Sequence, residues 1–214
     1  MVQKSTPRHE EQKRGRGRPR SFDPEITLER ARVAFWDTGY SATSLDDLAV
    51  ATGLNRPSLY SAFGDKQALY LAALEKSRAE SVGMLVAALA SEEPLRDSLE
   101  KIFSVAAQMY LKGDVGQRGC FLVGTAVAEA VADSEIRHVL RLALDELDLA
   151  FEQRLRRSQE IGELSADIDV AAIAKVATAT LNGMAIRARA GGNAETLARF
   201  GQGFIALVDG LSRT

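Results

Sequence analysis

Residues 44–63 read Ser44-Leu45-Asp46-Asp47-Leu48-Ala49-Val50-Ala51-Thr52-Gly53-Leu54-Asn55-Arg56-Pro57-Ser58-Leu59-Tyr60-Ser61-Ala62-Phe63. Two short apolar-faced segments are separated by one glycine. Thr43 and Ser44 with Asp46 and Asp47 offer overlapping capping boxes, and Leu45, Leu48 and Ala49 then share a face until Gly53. Asn55 caps a second segment in which Pro57 is tolerated in the first turn and Leu59 and Phe63 point inward. This is the grammar of a helix-turn-helix. Ala49 is small where two helices approach, Gly53 can take the left-handed conformation of the turn, and Leu59 anchors the second helix. An ordinary helical hairpin inside a bundle is the competing reading.

Outward from this stretch the chain continues as helices. Asp23-Pro24 is a start signal, Leu28, Ala31, Phe35 and Trp36 form a helical face broken only by Arg32, and Gly39 ends it. After Gly64-Asp65 a longer helix is expected over 66–90, and Pro94 is the last proline. Beyond it no stretch alternates with period two, and helices are expected near 94–112, 120–132, 134–160, 167–190 and 194–212, with breaks at Gly113, Gly116 and Gly119, at Gly162 and at Gly191-Gly192. The fold class is all-α, with three short helices followed by six longer ones. The expected division is a basic arm over 1–21, a helix-turn-helix domain over 22–65, and a second domain over 66–214.

Composition excludes several classes. One cysteine in 214 residues cannot close an intrachain disulfide, so a stapled secreted scaffold is out and a reducing cytoplasm is expected. No apolar run approaches the ~18 residues of a membrane span, and the basic N-terminus lacks the apolar run of a signal peptide. The net charge of −2 conceals an asymmetry: residues 1–20 carry +5 and the remainder −7. A basic arm on an acidic body points to an anionic partner for the arm, although a solvated tail is the plainer alternative. Arg14-Gly15-Arg16-Gly17-Arg18-Pro19-Arg20 alternates arginine with glycine, and its Arg16-Gly17-Arg18-Pro19 core resembles an AT-hook. Such a slim strip suits a narrow minor groove, with Arg16 and Arg18 as its cations.

On the second short helix Arg56, Pro57, Ser58, Tyr60 and Ser61 lie on or beside the free face. Arg56 suits bidentate pairing with guanine, and Ser58 and Ser61 suit base edges or phosphates. Tyr60, Lys66, Thr43 and Ser44 are placed to reach the phosphate backbone. Gly39-Tyr40, Thr43-Ser44-Leu45, Leu48-Ala49, Gly53-Leu54, Ser58-Leu59-Tyr60, Phe63, Lys66 and Leu69 together resemble the N-terminal region of TetR/AcrR-type transcriptional regulators. Ser61-Ala62 departs from the bulkier residues common after the tyrosine in that family. The resemblance implies a homodimer of Ω-shaped subunits, each with a three-helix DNA-binding head and a six-helix ligand-binding and dimerisation body. It also implies repression at a palindromic double-stranded operator, relieved by a small-molecule inducer.

The family expectation places dimer contacts on the last two helices. Ile173, Val176, Ala177, Thr180, Leu181 and Met184 form one apolar stripe, and Leu197, Phe200, Phe204, Ile205, Val208 and Leu211 another. Both could instead face the monomer's own core. Gln108, Tyr110, Thr125, Glu129 and Asn182 are polar groups in apolar context and candidates to orient a ligand. Cys120 follows Arg118-Gly119 and begins a helix, an arrangement that favours thiolate. Gly-Cys here resembles a family subset that senses electrophiles, oxidants or metal, although a small buried hydrophobe is the simpler role.

No catalytic constellation, metal-ligand spacing or phosphate-cradling loop is evident. No cofactor, metal site, membrane partner or enzymatic activity is expected. Two alternatives stand beside the ligand-responsive regulator: an architectural AT-rich DNA binder dominated by the arm, and a helical binding protein or enzyme with an incidental basic tail.

Overall fold

Asp23 starts the first helix as its sequence predicts. Its carboxylate accepts the N–H groups of Glu25 (2.8 Å) and Ile26 (3.4 Å), and Pro24 opens α1 (Pro24–Thr38). The protein is described by a computed structural model covering residues 22–112 and 118–212. The expected arm, with Arg16 and Arg18, and the loop glycines Gly113 and Gly116 lie outside the described residues. Ser44 and Asp47 cap each other's backbone at the head of α2 (Leu45–Thr52). Gly53 takes the left-handed conformation, φ 72°, which turns the chain into α3 (Arg56–Phe63), capped by Asn55. Asp65 caps α4 (Lys66–Leu89).

The remaining helices among the described residues are α5 (Leu95–Tyr110), α6, α7 (Ser134–Glu160), α8 (Val170–Arg189) and α9 (Ala194–Ser212). No strand occurs among them, and no helix is long and apolar enough to cross a membrane. Helix α8 starts at Val170, later than its apolar pattern suggests, because the Asp169 carboxylate accepts the Ala172 N–H (3.1 Å) and fixes the cap there. Helix α6 departs further from expectation. It is π-helical over Leu122–Ala126 and α-helical only over Val127–Glu129.

Two apolar clusters hold these elements. One joins α1, α2 and α3 to the first half of α4, to α6 and to the start of α7, through Phe35, Leu48, Leu59, Tyr70, Phe121 and Ile136. The other lies between α5, α7, α8 and α9 and is built on Leu99, Phe103, Phe151, Leu155, Met184 and Leu197. Close backbone approach is needed where α9 crosses α5: a Cβ at Gly201 would lie 2.6 Å from the Phe103 Cβ.

A buried ion pair closes the lower end of the body. Arg154 is 4 % exposed. Its guanidinium donates to the Glu93 carbonyl (2.9 Å), to the Glu163 carboxylate (3.3 Å) and to the Ser158 hydroxyl. Glu163 also accepts the Ser158 hydroxyl (2.8 Å) and the Leu95 N–H (3.1 Å). Burial works against this carboxylate, but the Ser158 hydroxyl, the Leu95 N–H and Arg154 together hold it below the ordinary glutamate range. A depressed carboxylate contributes stability fully above its unfolded value and loses it as pH falls through its folded one. Glu163→Gln should therefore flatten the acid limb of the stability–pH curve while changing the alkaline limb little. Arg154→Ala removes its bonds to Glu93, Ser158 and Glu163 while the partly exposed Glu163 keeps the Ser158 hydroxyl and the Leu95 N–H, and should cost about 1.5–3 kcal/mol, read from urea unfolding at neutral pH.

Candidate functional site

The short helix α3 is held from behind and left open in front. Leu59 is buried in the core and the Asn55 side chain accepts the Ser58 N–H (2.9 Å). Arg56, Pro57, Tyr60 and Ser61 are exposed and Ser58 is half-buried. The aromatic body of Tyr60 is 47 % exposed on this face, an unusual cost in water for an aromatic group without a partner. Arg56 is not free. Its Nε donates to Asp46 Oδ1 (2.8 Å) and its Nη2 to Asp46 Oδ2 (2.5 Å), a bidentate pair across the turn from α2. The pair engages one edge of the guanidinium and leaves the Nη1 edge pointing away. Asp46 was legible in the sequence only as a capping residue, since nothing in the spacing marks it as the partner of a side chain ten positions on.

The neighbouring residues divide. Ser44 is exposed at the N-terminus of α2, with its hydroxyl engaged by Asp47. Lys66 is half-buried and stacks its ammonium 4.5 Å above the Tyr40 ring. Thr43 does not reach the surface as expected. It is 1 % exposed, donates to the Gly39 carbonyl (2.6 Å) and lies 2.7 Å from the Thr38 hydroxyl, so it fastens the end of α1 to α2 and offers nothing to a phosphate. Phe22, the first described residue, lines a shallow hollow with Asn55, Pro57, Ser58 and Ser61 beside α3.

A largely apolar cavity of about 180 Å³ opens between α4, α5, α7 and α8. Of the expected ligand-orienting residues, Tyr110, Cys120 and Asn182 line it. The others do not. Gln108 is exposed on α5, outside the cavity wall. The buried Thr125 hydroxyl accepts from Tyr70 (2.7 Å) and donates to the Phe121 carbonyl, a structural bond inside the head cluster. Glu129 accepts from Ser41 (2.8 Å) where α6 meets the end of α1. A polar residue on an apolar helix face has two ways to be satisfied, a ligand or a neighbour, and sequence does not distinguish them.

Cys120 sits where the cavity meets two adjoining hollows. Sequence favoured thiolate; the structure gives the opposite direction. Burial pushes the thiol up and outweighs the nearby Leu122 and Val123 N–H groups and the Arg32 charge. The adjacent Arg118 is engaged elsewhere: its Nε lies 2.8 Å from Asp37 on α1. The Arg118 carbonyl accepts the Trp36 indole N–H (3.0 Å), so this segment ties the cavity wall to α1. Gly119, at φ 67°, is pressed so close to α8 that a Cβ would lie 2.4 Å from the Ala185 carbonyl.

The apolar stripes of α8 and α9 resolve into two faces. Ala177, Leu181, Met184, Leu197, Phe204, Ile205 and Val208 are buried in the chain's own body cluster, and Ile173 and Phe200 pack against it. Phe103 and Phe204, for example, meet edge to face at 5.5 Å. These side chains are therefore not a free surface within one subunit. Of the expected contact residues, Val176 (45 % exposed) and Thr180 lie outside, and beside them the exposed face carries Gly183, Gly203 and Leu207 (64 % exposed). A 3.6-residue period marks an apolar stripe but not which of two neighbours it packs against.

The family model described as bacterial regulatory proteins, tetR family, matches residues 28–73, and that of the tetracyclin repressor-like C-terminal domain matches residues 90–204. The Escherichia coli K12 HTH-type transcriptional repressor ComR is 32 % identical over 186 residues, covering 86 % of this chain and 88 % of ComR. The repressor BdcR of the same organism is 33 % identical over 112 residues, 52 % of this chain and 56 % of its own. Among solved structures, a cysteine mutant of the TetR-family regulator CifR, complexed with a 26-base-pair double-strand operator DNA, superposes with a TM-score of 0.78 at 29 % identity, covering 88 % of this chain and 98 % of CifR. Reduced E. coli NemR shares the fold, with a TM-score of 0.75 at 19 % identity over 88 % of this chain and 95 % of its own. Matched from the first helix of the head into the last helix of the body, the chain belongs to the TetR family of DNA-binding transcriptional regulators.

Proposed function

We propose that the chain is a cytoplasmic homodimeric repressor, without catalytic activity, that reads a palindromic operator through α3 and leaves it when a small molecule occupies the body cavity. The observation that carries this reading is the α3 face, where Tyr60 and Ser61 stand exposed around an arginine already oriented by a carboxylate. An exposed ion pair adds little stability, of order 0–1 kcal/mol. Its effect is to fix the guanidinium plane, so that the free Nη1 edge is presented for guanine O6 and N7 with less entropy to lose on binding. Asp46 is thus a positioning residue for Arg56. Ser58 lies beside the base-reading edge, while Ser44, Ser61 and Lys66 are placed for phosphates. The relatives ComR and BdcR are repressors and CifR is seen in complex with operator DNA, which supports the same direction.

The arm adds a second contact. Arg18 and Arg16 precede Phe22 by four and six residues, a reach of about 13–20 Å if extended, enough to pass from beside α3 into the adjoining minor groove. The partner surface we assign to Val176, Thr180 and Gly183 of α8 with Gly203 and Leu207 of α9. Small residues there let two helix pairs approach, and the apolar groups are exposed in a single subunit. Occupancy of the cavity is the trigger in this reading; Cys120 is half-buried in its wall, and Arg118, two residues before it, is held by Asp37 rather than turned to the thiol.

Four outcomes test this reading. Arg56→Ala should weaken operator binding by about 1–3 kcal/mol and relax preference at one base pair per half-site. Asp46→Ala should erode the same preference while leaving affinity for unrelated duplex unchanged or higher; equal loss on all sequences would mean that Arg56 holds a phosphate. Removing residues 1–20 should lower affinity and the salt dependence of binding but keep the preferred sequence. Leu207→Glu should leave the helical content intact and give monomers in sedimentation, with footprints that no longer span paired half-sites about 34–36 Å apart.

A further inference from the structure

The cavity continues outward into a second chamber of about 440 Å³, and the two share Ser81, Met84, Met109, Tyr110, Cys120 and Leu122 in their walls. Their chemistry differs sharply. The inner chamber is walled by Leu85, Ile102, Leu144, Leu147 and Leu181. Its one cation, Lys101, is exposed and paired with Glu93. The outer chamber is walled by Arg32, Lys112 and Arg118, by Glu80, and by the Trp36 and Ser77 side chains.

Most of these outer charges are already matched. Arg32 holds Glu29 with both Nε (2.8 Å) and Nη2 (2.5 Å). Arg118 holds Asp37, and Glu80 lies 3.4 Å from Lys76. Lys76 is shared with Glu25, which it holds at 2.8 Å, and Lys112 pairs with no carboxylate among the described residues, so it is the cation of this chamber left open to a ligand. A second observation points to a ligand independently of charge. Ser77 is 4 % exposed, lines the outer chamber, and its hydroxyl has no hydrogen-bond partner among the described residues. An unpaired buried hydroxyl costs about 1–3 kcal/mol and is ordinarily satisfied by something the bare chain does not provide.

From these features we infer that the two chambers bind an amphipathic monoanion, an apolar tail in the inner chamber and a carboxylate head in the outer one, held by Lys112 and the Ser77 hydroxyl. This rests on the reading of the cavity as the regulatory site and names the class of molecule it takes. The carboxylate lies within the same chamber as Arg118 and competes with Asp37 for it. The head group thereby acts on the contact that joins the cavity wall to α1.

The test uses the full chain and three probes with one tail: octanoate, 1-octanol and octyltrimethylammonium. Binding is followed by calorimetry, and operator release on a duplex selected by the protein from a random pool. Octanoate should bind at least tenfold more tightly than octanol, octyltrimethylammonium should not bind, and only octanoate should release the duplex. Lys112→Met should abolish the tenfold preference and leave octanol binding unchanged. Met109→Trp, at a half-exposed position in the wall common to both chambers, should weaken octanoate and octanol alike. Equal or tighter binding of octanol overturns the assignment of the head group. Failure of all three probes on protein that still selects and binds a duplex overturns the proposed ligand class while leaving the DNA reading intact; failure to select any duplex would instead overturn the regulator reading itself.

Discussion

At the centre of the contact between the three short helices and the α6 segment lies one buried phenol. Tyr70, on α4, is fully enclosed, and its hydroxyl donates to Thr125 of α6 at 2.7 Å. Its ring meets Phe35 at 5.0 Å, Tyr40 at 4.7 Å and Phe121 at 5.9 Å. Burial pushes the phenol well above its ordinary value, so it remains a neutral donor. A tyrosine in this place gains its stability only if both ends are matched, aromatic packing around the ring and an acceptor at the tip. Helix α1 and the turn after it supply two of the rings, and the segment entering α6 supplies the third together with the acceptor. The head is therefore not a bead on a string: its core is completed by residues that lie more than fifty positions further along the chain.

That dependence explains what could be read directly from the residues and what could not. Helix starts were legible where the cap stands beside a clear break in the pattern: Asp23, Ser44, Asn55 and Asp65 each bond an N–H two or three residues on, whereas the pattern alone starts α8 at 167 and misses the Asp169 cap. The outward face of α3 was legible because Leu59 and Phe63 fix which side is inside. Long-range pairings were not. Thr125 carries the same hydroxyl as a surface residue, and only its distant neighbour Tyr70 takes it out of use; Thr43 is taken out of use closer by, by the Gly39 carbonyl across an irregular turn that no periodic pattern marks. The π turn of α6 leaves no mark in an apolar pattern that a regular helix would fit equally well.

The α8 and α9 stripes give the same lesson on a larger scale. Both were correctly apolar, yet the residues with the strongest hydrophobic character turned inward onto α5 and α7, and the outer faces hold the smaller ones, Thr180, Gly183 and Gly203, with Val176 and Leu207. In a body where every helix is amphipathic, the largest side chains go to the larger core. What remains outside is thin and smooth, which suits a second pair of helices better than bulk would.

The contact of Gly119 with α8 has a mechanical consequence. Where side chains meet, a small displacement is dissipated in rotamer changes before it travels far. Here backbone rests on backbone, a glycine in a left-handed turn against the Ala185 carbonyl, with no deformable group between. One residue before it, the Arg118 carbonyl receives both the Trp36 indole and the Arg189 guanidinium at the end of α8. Between α8 and the first helix there is thus little soft material at this point, and the close packing around Gly119 leaves α8 and α1 stiffly connected through residues 118 and 119.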